Sequence, residues 1–172
     1  MNKKNDLTMM EPRIETLGET RLAGIKSRMS IANNTTAGLW REFMPLRRQI
    51  GNAQDTSLYS VEVYEDLDFF SDFDPSREFE KWAAVPVRSS AYLPEDLQAL
   101  IIPAGLYAVF RYKGKESEVS RMYHYIYGTW VEKSKYALDH RPHFAIMGPE
   151  YRGEHPDSEE ELWIPVREKR TA

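Results

Sequence analysis

The side chains with the widest chemical reach crowd between Tyr123 and Met147, where tyrosines, a tryptophan and histidines share a short span. His140 and His143 stand three residues apart across an expected loop-to-strand junction. Two metal ligands could use that spacing, and so could solvated or hydrogen-bonding imidazoles with no metal at all. A second cluster, Glu65 to Pro75, interleaves carboxylates with phenylalanines. Counted from Asp66, Ser71 holds the sixth position and Arg77 the twelfth, where a calcium loop needs Gly and Glu. A loop pinned by its aromatic residues fits better. There is no Gly-x-Ser-x-Gly, no phosphate-cradling loop and no His-Glu-x-x-His. The chain also has no cysteine, which removes thiolate chemistry, disulfides and Cys-ligated zinc. No metal ligand, cofactor or catalytic residue is therefore assigned.

These groups must be held by regular elements. Val119, Tyr123, Ile126 and Trp130 recur at i, i+4, i+7 and i+11, the stripe of one helical face, and Met122 and Tyr125 broaden it. A face that aromatic is either core or the wall of a pocket. The run His143–Met147 reads as a strand with His143, Ala145 and Met147 on one side and Phe144 and Ile146 on the other. One side must pack, which leaves the other to meet a ligand.

Upstream, Arg13–Leu17 and Arg21–Ile25 suit one strand with a bulge or bend at Gly18. Asn33–Thr36 offers cap chemistry to a helix carrying Leu39, Trp40, Phe43, Met44, Leu46 and Ile50, distorted by Pro45 and ended by Gly51-Asn52. Tyr59–Tyr64 is a clear strand, with Tyr59, Val61 and Val63 on one face and Ser60, Glu62 and Tyr64 on the other. Further strands are expected at 79–87, 106–112 and 161–167, with Leu93–Ile102 as a connecting segment containing one helical turn at Pro94.

With 172 residues, 41% of them hydrophobic and 29% charged, the chain has the make-up of one soluble domain. Mean hydropathy of −0.61 argues against a membrane protein. Residues 1–11 lack a signal-like apolar core, so a leader in a cytoplasmic protein is expected, with a tail at 168–172. The net charge of −4 argues against direct nucleic-acid binding, since the dense basic cluster is confined to Arg41, Arg47 and Arg48 on the first helix. Neutral or cationic ligands suit an acidic protein better.

Strand, helix, strand, strand occurs twice, at about 14–87 and 105–167, and Leu22–Lys26 occupies in the first copy the place of Tyr107–Arg111 in the second. The expected fold is α+β: duplicated β-α-β-β halves forming a mostly antiparallel sheet with two helices, within one domain spanning 12–167, and a central pocket between the halves.

Seven phrases in order carry a resemblance: Leu39–Pro45, Tyr59–Tyr64, Phe79–Val85, Ile102–Phe110, Tyr125–Trp130, Asp139–Phe144 and Leu162–Val166. Together they resemble the GyrI-like small-molecule-binding family, also called the AraC-type effector-binding domain, with phrasing similar to free-standing bacterial members including some on integron cassettes. The resemblance implies the same two-half fold and a pocket for amphipathic, often cationic, drug-like molecules. Without a helix-turn-helix before Pro12, a stand-alone binding protein is expected rather than a promoter-reading regulator. The ligand-binding residues it implies are Trp40, Phe43, Tyr59, Val61, Tyr107, Tyr127, Trp130, Ala145, Met147 and Trp163.

One position departs from the family. The pattern Arg-Pro-x-Phe-Glu reads Arg141-Pro142-His143-Phe144-Ala145 here, so the usual pocket glutamate is missing. Any preference for cations must then come from cation–π faces, worth about 0.5–2 kcal/mol each, or from Glu62 or Glu80 nearby. Some relatives resemble hydrolases of strained, cyclopropane-bearing compounds, and Ala145 removes the general acid–base candidate for that activity. The family's namesake behaviour implies a third reading, in which DNA gyrase or a separate regulator is the partner and the loop Asp66–Asp74 is the epitope. The competing reading of that loop is a lid over the groove.

Overall fold

The computed structural model describes residues 11–170, so the expected leader lies outside the described residues up to Met10. The described residues form nine strands and several helical segments. The strands are β1 (Arg13–Leu17), β2 (Thr20–Ser30), β3 (Leu58–Val63), β4 (Glu78–Pro86), β5 (Gln98–Ile102), β6 (Gly105–Lys113), β7 (Tyr136–Leu138), β8 (His143–Met147) and β9 (Glu159–Glu168). The helices are α1 (Thr36–Arg47), α2 (Asp68–Ser71) and α3 (Val119–Tyr125), which runs into a π-helical segment, Ile126–Trp130, and a last turn, α4 (Val131–Lys133).

The strand order β1-β6-β9-β8-β3-β4-β2-β5, antiparallel throughout, places two matching halves side by side. They meet where β3 pairs β8. Leu22 stands opposite Pro86 in one half and Tyr107 opposite Pro165 in the other, the equivalence expected from the internal repeat.

Each half gives its leading strand to the other, because β1 pairs β6 and β5 pairs β2. Arg13 to Gly24 face Val109 to Gln98 in a single register interrupted between Leu17–Gly105 and Thr20–Ile102. The bend expected at Gly18 is therefore present, but the two segments serve opposite halves. Residues 98–102, expected to be connection, form β5 because they supply the partner that β2 lacks on its outer side. The short strand β7, which has no alternating signature of its own, is held by β9. Glu168 and Lys169, assigned to the tail by sequence, are ordered: β9 runs through Glu168, and the Lys169 N–H donates to the Lys135 carbonyl at 2.8 Å.

Three clusters divide the core. On the helix-covered face, Leu39 and Phe43 of α1 pack on Ala23, Ile25, Ala83 and Val85 in the first half, while Met122, Ile126 and Trp130 pack on Ala108, Phe110 and Leu162 in the second. Burying one such side chain contributes about 1.5–3 kcal/mol. α1 ends at Arg47, before Gly51, because Pro45 cannot donate to the preceding turn and i→i+3 bonds from Gln49 and Ile50 tighten its end. Strand residues alone form the third cluster, on the opposite face, with Leu22, Val61, Trp82, Tyr107, Phe144 and Trp163 all buried. No helix among the described residues is long and apolar enough to cross a membrane.

At Gly24 the backbones of β2 and β4 approach so closely that a methyl group there would meet the Ala83 carbonyl and lie 2.7 Å from Ala84 Cα. Gly24→Ala is expected to cost about 2 kcal/mol or more, a fall in Tm of about 4–8 °C for a chain of this size. An unchanged melting curve would show that β2 can move away from β4 at no cost.

Candidate functional site

On the helix-covered face, the β3–β8 and β3–β4 registers decide which side chains meet. Glu62 stands opposite His143 on β8 and opposite Lys81 on β4, while Ser60 faces Ala145. On β9, Leu162 pairs Ala145 and places Glu160, two residues earlier, on the same face. Glu62 forms an ion pair with Lys81; the two side chains are only 17% and 10% exposed. Ser60 stands across from Ala145, and the acid on this face of β3 is Glu62, two residues along.

Aromatic rings enclose this polar floor. Tyr64, just past β3, lies 4.5 Å from Phe69, 4.8 Å from Phe70 and 5.0 Å from His143 between ring centroids. Phe70 stacks on the His143 ring at 5.1 Å and leans on Tyr127 at 4.6 Å. Tyr123 and Tyr127, one helical turn apart, lie nearly parallel at 6.1 Å. The acidic stretch folds down over this space through Phe69 and Phe70 on α2. Two of its carboxylates are spent on the loop itself: Asp66 accepts from the Asp68 N–H and from Arg77, and Asp74 from Ser76. Phe73 points outward, 64% exposed.

These residues are not sealed core: Glu62, Tyr64, Phe70, Tyr123, Tyr127 and Glu160 each keep part of their surface accessible, so the space among them is a partly open recess. Burial pushes the Tyr64, Tyr123 and Tyr127 phenols well above their usual range, and the Glu62 carboxylate adds to each shift. All three nevertheless keep part of their surface accessible. His143 is buried and driven down to about 3, chiefly by desolvation, so it is neutral at physiological pH and hydrogen-bonded to the Tyr127 hydroxyl at 2.8 Å. Glu160 is pushed up to about 7, first by burial and then by Glu116 and Glu62, with Lys81 opposing. The recess therefore holds one ion pair and one carboxyl group half-ionised near neutrality.

The residues expected to bind ligand divide among several places. Tyr127, Ala145 and Met147 lie on the helix-covered face with the recess. Tyr59, Val61, Tyr107 and Trp163 belong to the strand-only cluster on the reverse side, where Phe144 stacks on Tyr59 at 5.4 Å and on Trp163 at 5.3 Å. There Tyr107 donates to the Pro142 carbonyl at 2.8 Å beneath the Arg141 guanidinium. Phe43 is core of the first half and Trp130 core of the second. Trp40, half-buried, packs against the first-half core edge-on to Phe43.

Glu80 is also on the reverse face, accepting from Trp82 Nε1 at 2.6 Å. His140 does not join His143: its Nε2 meets the Tyr64 carbonyl at 3.0 Å. Lys81 and Glu160 carried no sequence signal for the recess, whereas the loop that carries Phe70 was read as an aromatic-pinned lid over the groove, Glu62 and Tyr64 could be placed together by strand alternation, and Tyr123 with Tyr127 by helical spacing.

Residues 10–167 match the GyrI-like small molecule binding domain. The transcriptional regulator BrlR of Pseudomonas aeruginosa is 24% identical over 159 residues, covering 91% of this chain but only 56% of that protein. Among solved structures, SAV2435 bound to tetraphenylphosphonium superposes with a TM-score of 0.70 at 17% identity, covering 92% of this chain and 94% of that one. The integron cassette protein VCH_CASS2 from Vibrio cholerae gives 0.62 at 18% identity over 91% and 96%. At these identities the structures attest to the shared fold.

Because Glu160 binds its proton more tightly folded than unfolded, its contribution to stability is complete below about pH 4.5 and is lost as pH rises through about 7. His143 acts in the opposite sense, its neutral burial costing stability as pH falls from 6.5 towards about 3. Glu160→Gln should therefore raise Tm by about 2–4 °C at pH 8, roughly 1 kcal/mol, and change it little near pH 5. Equal shifts at both pH values would mean that Glu160 is not desolvated.

Proposed function

Since the chain belongs to the GyrI-like small-molecule-binding domain family, we propose that it holds an amphipathic, cationic aromatic molecule in the recess bounded by Tyr64, Phe70, Tyr123 and Tyr127. The observation that carries this reading is the convergence of Glu62 and Glu160 beneath accessible but desolvated tyrosines. A delocalised cation loses little hydration on entry, gains cation–π contacts of about 0.5–2 kcal/mol per ring, and meets carboxylates in a low-dielectric setting where pairing counts. Lys81 offsets Glu62, leaving Glu160 as the acid whose charge answers the guest. The binding of tetraphenylphosphonium by SAV2435, which shares the fold, makes that cation the natural first probe.

An arriving cation favours ionised Glu160. Affinity for tetraphenylphosphonium, read by calorimetry, should thus rise several-fold between about pH 6 and pH 8, with proton release at the lower pH. Glu160→Gln should abolish that dependence and weaken binding at about pH 8 by roughly tenfold, or 1.4 kcal/mol. Binding that ignores both pH and the substitution would refute the recess as the cation site.

A second reading is favoured by the same carboxyl group. With its pKa near 7, Glu160 stands where a general acid or base works best, which revives hydrolysis of strained electrophiles despite Ala145. In that case Glu160→Gln would retain binding of an uncharged substrate analogue and lose turnover.

A further inference from the structure

A trough of about 990 Å³ lies beside α1, formed with the loop that follows it and floored in part by core residues of the first half. Its floor is apolar, made by Trp40, Met44, Pro45 and Ile50, and its rim carries Arg41, Arg47 and Arg48. Arg47 is fixed over the trough by donating from Nη2 to the Thr56 carbonyl at 3.1 Å, and Arg41 donates from Nε to the Ala37 carbonyl at 3.4 Å. Asp55, the carboxylate among the lining residues, accepts from the Ser57 N–H at 2.7 Å and so caps its own turn.

Among the described residues, none of these three arginines makes an ion pair. Six other arginines, Arg13, Arg21, Arg28, Arg77, Arg111 and Arg141, each pair with a carboxylate; Arg88, Arg121, Arg152, Arg167 and Arg170 do not, but they are not gathered around one hollow as Arg41, Arg47 and Arg48 are. In a chain of net charge −4, three arginines against the one carboxylate of Asp55 around an apolar hollow leave a net positive field, an electrostatic complement for a partner of the other sign.

The geometry points to a second binding site on α1 for an amphipathic anion. Such a guest is a free small molecule whose flat apolar body lies on Trp40 and Met44 and whose carboxylate, sulfonate or phosphate head reaches the arginine rim. Guanidinium groups suit that head because their paired N–H donors match two oxygens of one anion. The apolar part needs cover, since Met44 is 39% exposed. Concavity selects a free molecule over a membrane, because a membrane-seeking helix presents its apolar side chains outward as a ridge. This site takes the opposite charge to the recess and does not rest on the reading of the recess.

The full chain is titrated with anilinonaphthalene sulfonate, a flat apolar anion that brightens when it leaves water. Saturable brightening at micromolar probe is expected, with affinity lowered about tenfold or more in Arg41→Glu/Arg48→Glu, two exposed positions whose reversal leaves tetraphenylphosphonium binding and Tm unchanged. Trp40→Leu should weaken the probe separately, through its apolar body. The proposal is overturned by undiminished binding in the charge-reversal variant, by equal affinity for the uncharged analogue phenylnaphthylamine, or by binding to phosphatidylglycerol vesicles without binding of the dispersed sulfonate.

Discussion

The antiparallel register between β3 and β8 is the constraint on which the site depends. It sets Glu62 opposite His143 and Ser60 opposite Ala145, and strand geometry then sends all four towards the helices. A slip of one residue would turn Glu62 to the reverse face and bring Val61 in its place. The register is held from both sides, because Val61 and Phe144 are paired and pack together in the reverse cluster. Apolar packing on one face thus positions polar chemistry on the other.

Within the recess, charge is tolerated because it is balanced. A buried carboxylate alone is costly, and removing one member of a buried pair leaves the other uncompensated; Glu62 and Lys81 avoid this by facing each other across adjacent strands. Glu160 has no such dedicated partner, and burial first, then the nearby Glu116 and Glu62, holds its proton to about pH 7. His143 completes the arrangement as a neutral ring, bonded to Tyr127 and stacked on Phe70. Two acids on different strands share this face with Ala145: Glu62, paired with Lys81, and Glu160, which makes no ion pair among the described residues.

Duplication supplies the scaffold, and its breakdown supplies the site. The halves exchange leading strands so that neither is complete without the other, and their central strands form one sheet. The helical layer is less symmetric: α2 and its phenylalanines follow β3 in the first half, while the second half carries the π-helical segment with Tyr127. π-helical turns are frequent at functional positions because they reorient side chains that an α-helix would aim elsewhere. The recess lies where these unlike elements face each other over like strands.

Period and composition were enough to reveal the two-half α+β architecture, the main strands and the faces of β3 and β8, since alternation and helical spacing are local properties of the chain. Phe43 and Trp130 show the limit of such signals: their helical stripes are real, yet each stripe is buried in its own half. Neither β5 nor β7 was legible, because each is a strand only by virtue of its partner. The companions of the recess were hidden for the same reason. Glu62, Lys81, His143 and Glu160 lie on four different strands, and no spacing along the chain encodes which strands are neighbours. Their shared face was decided by pairing across the sheet, where contact depends on register between distant segments.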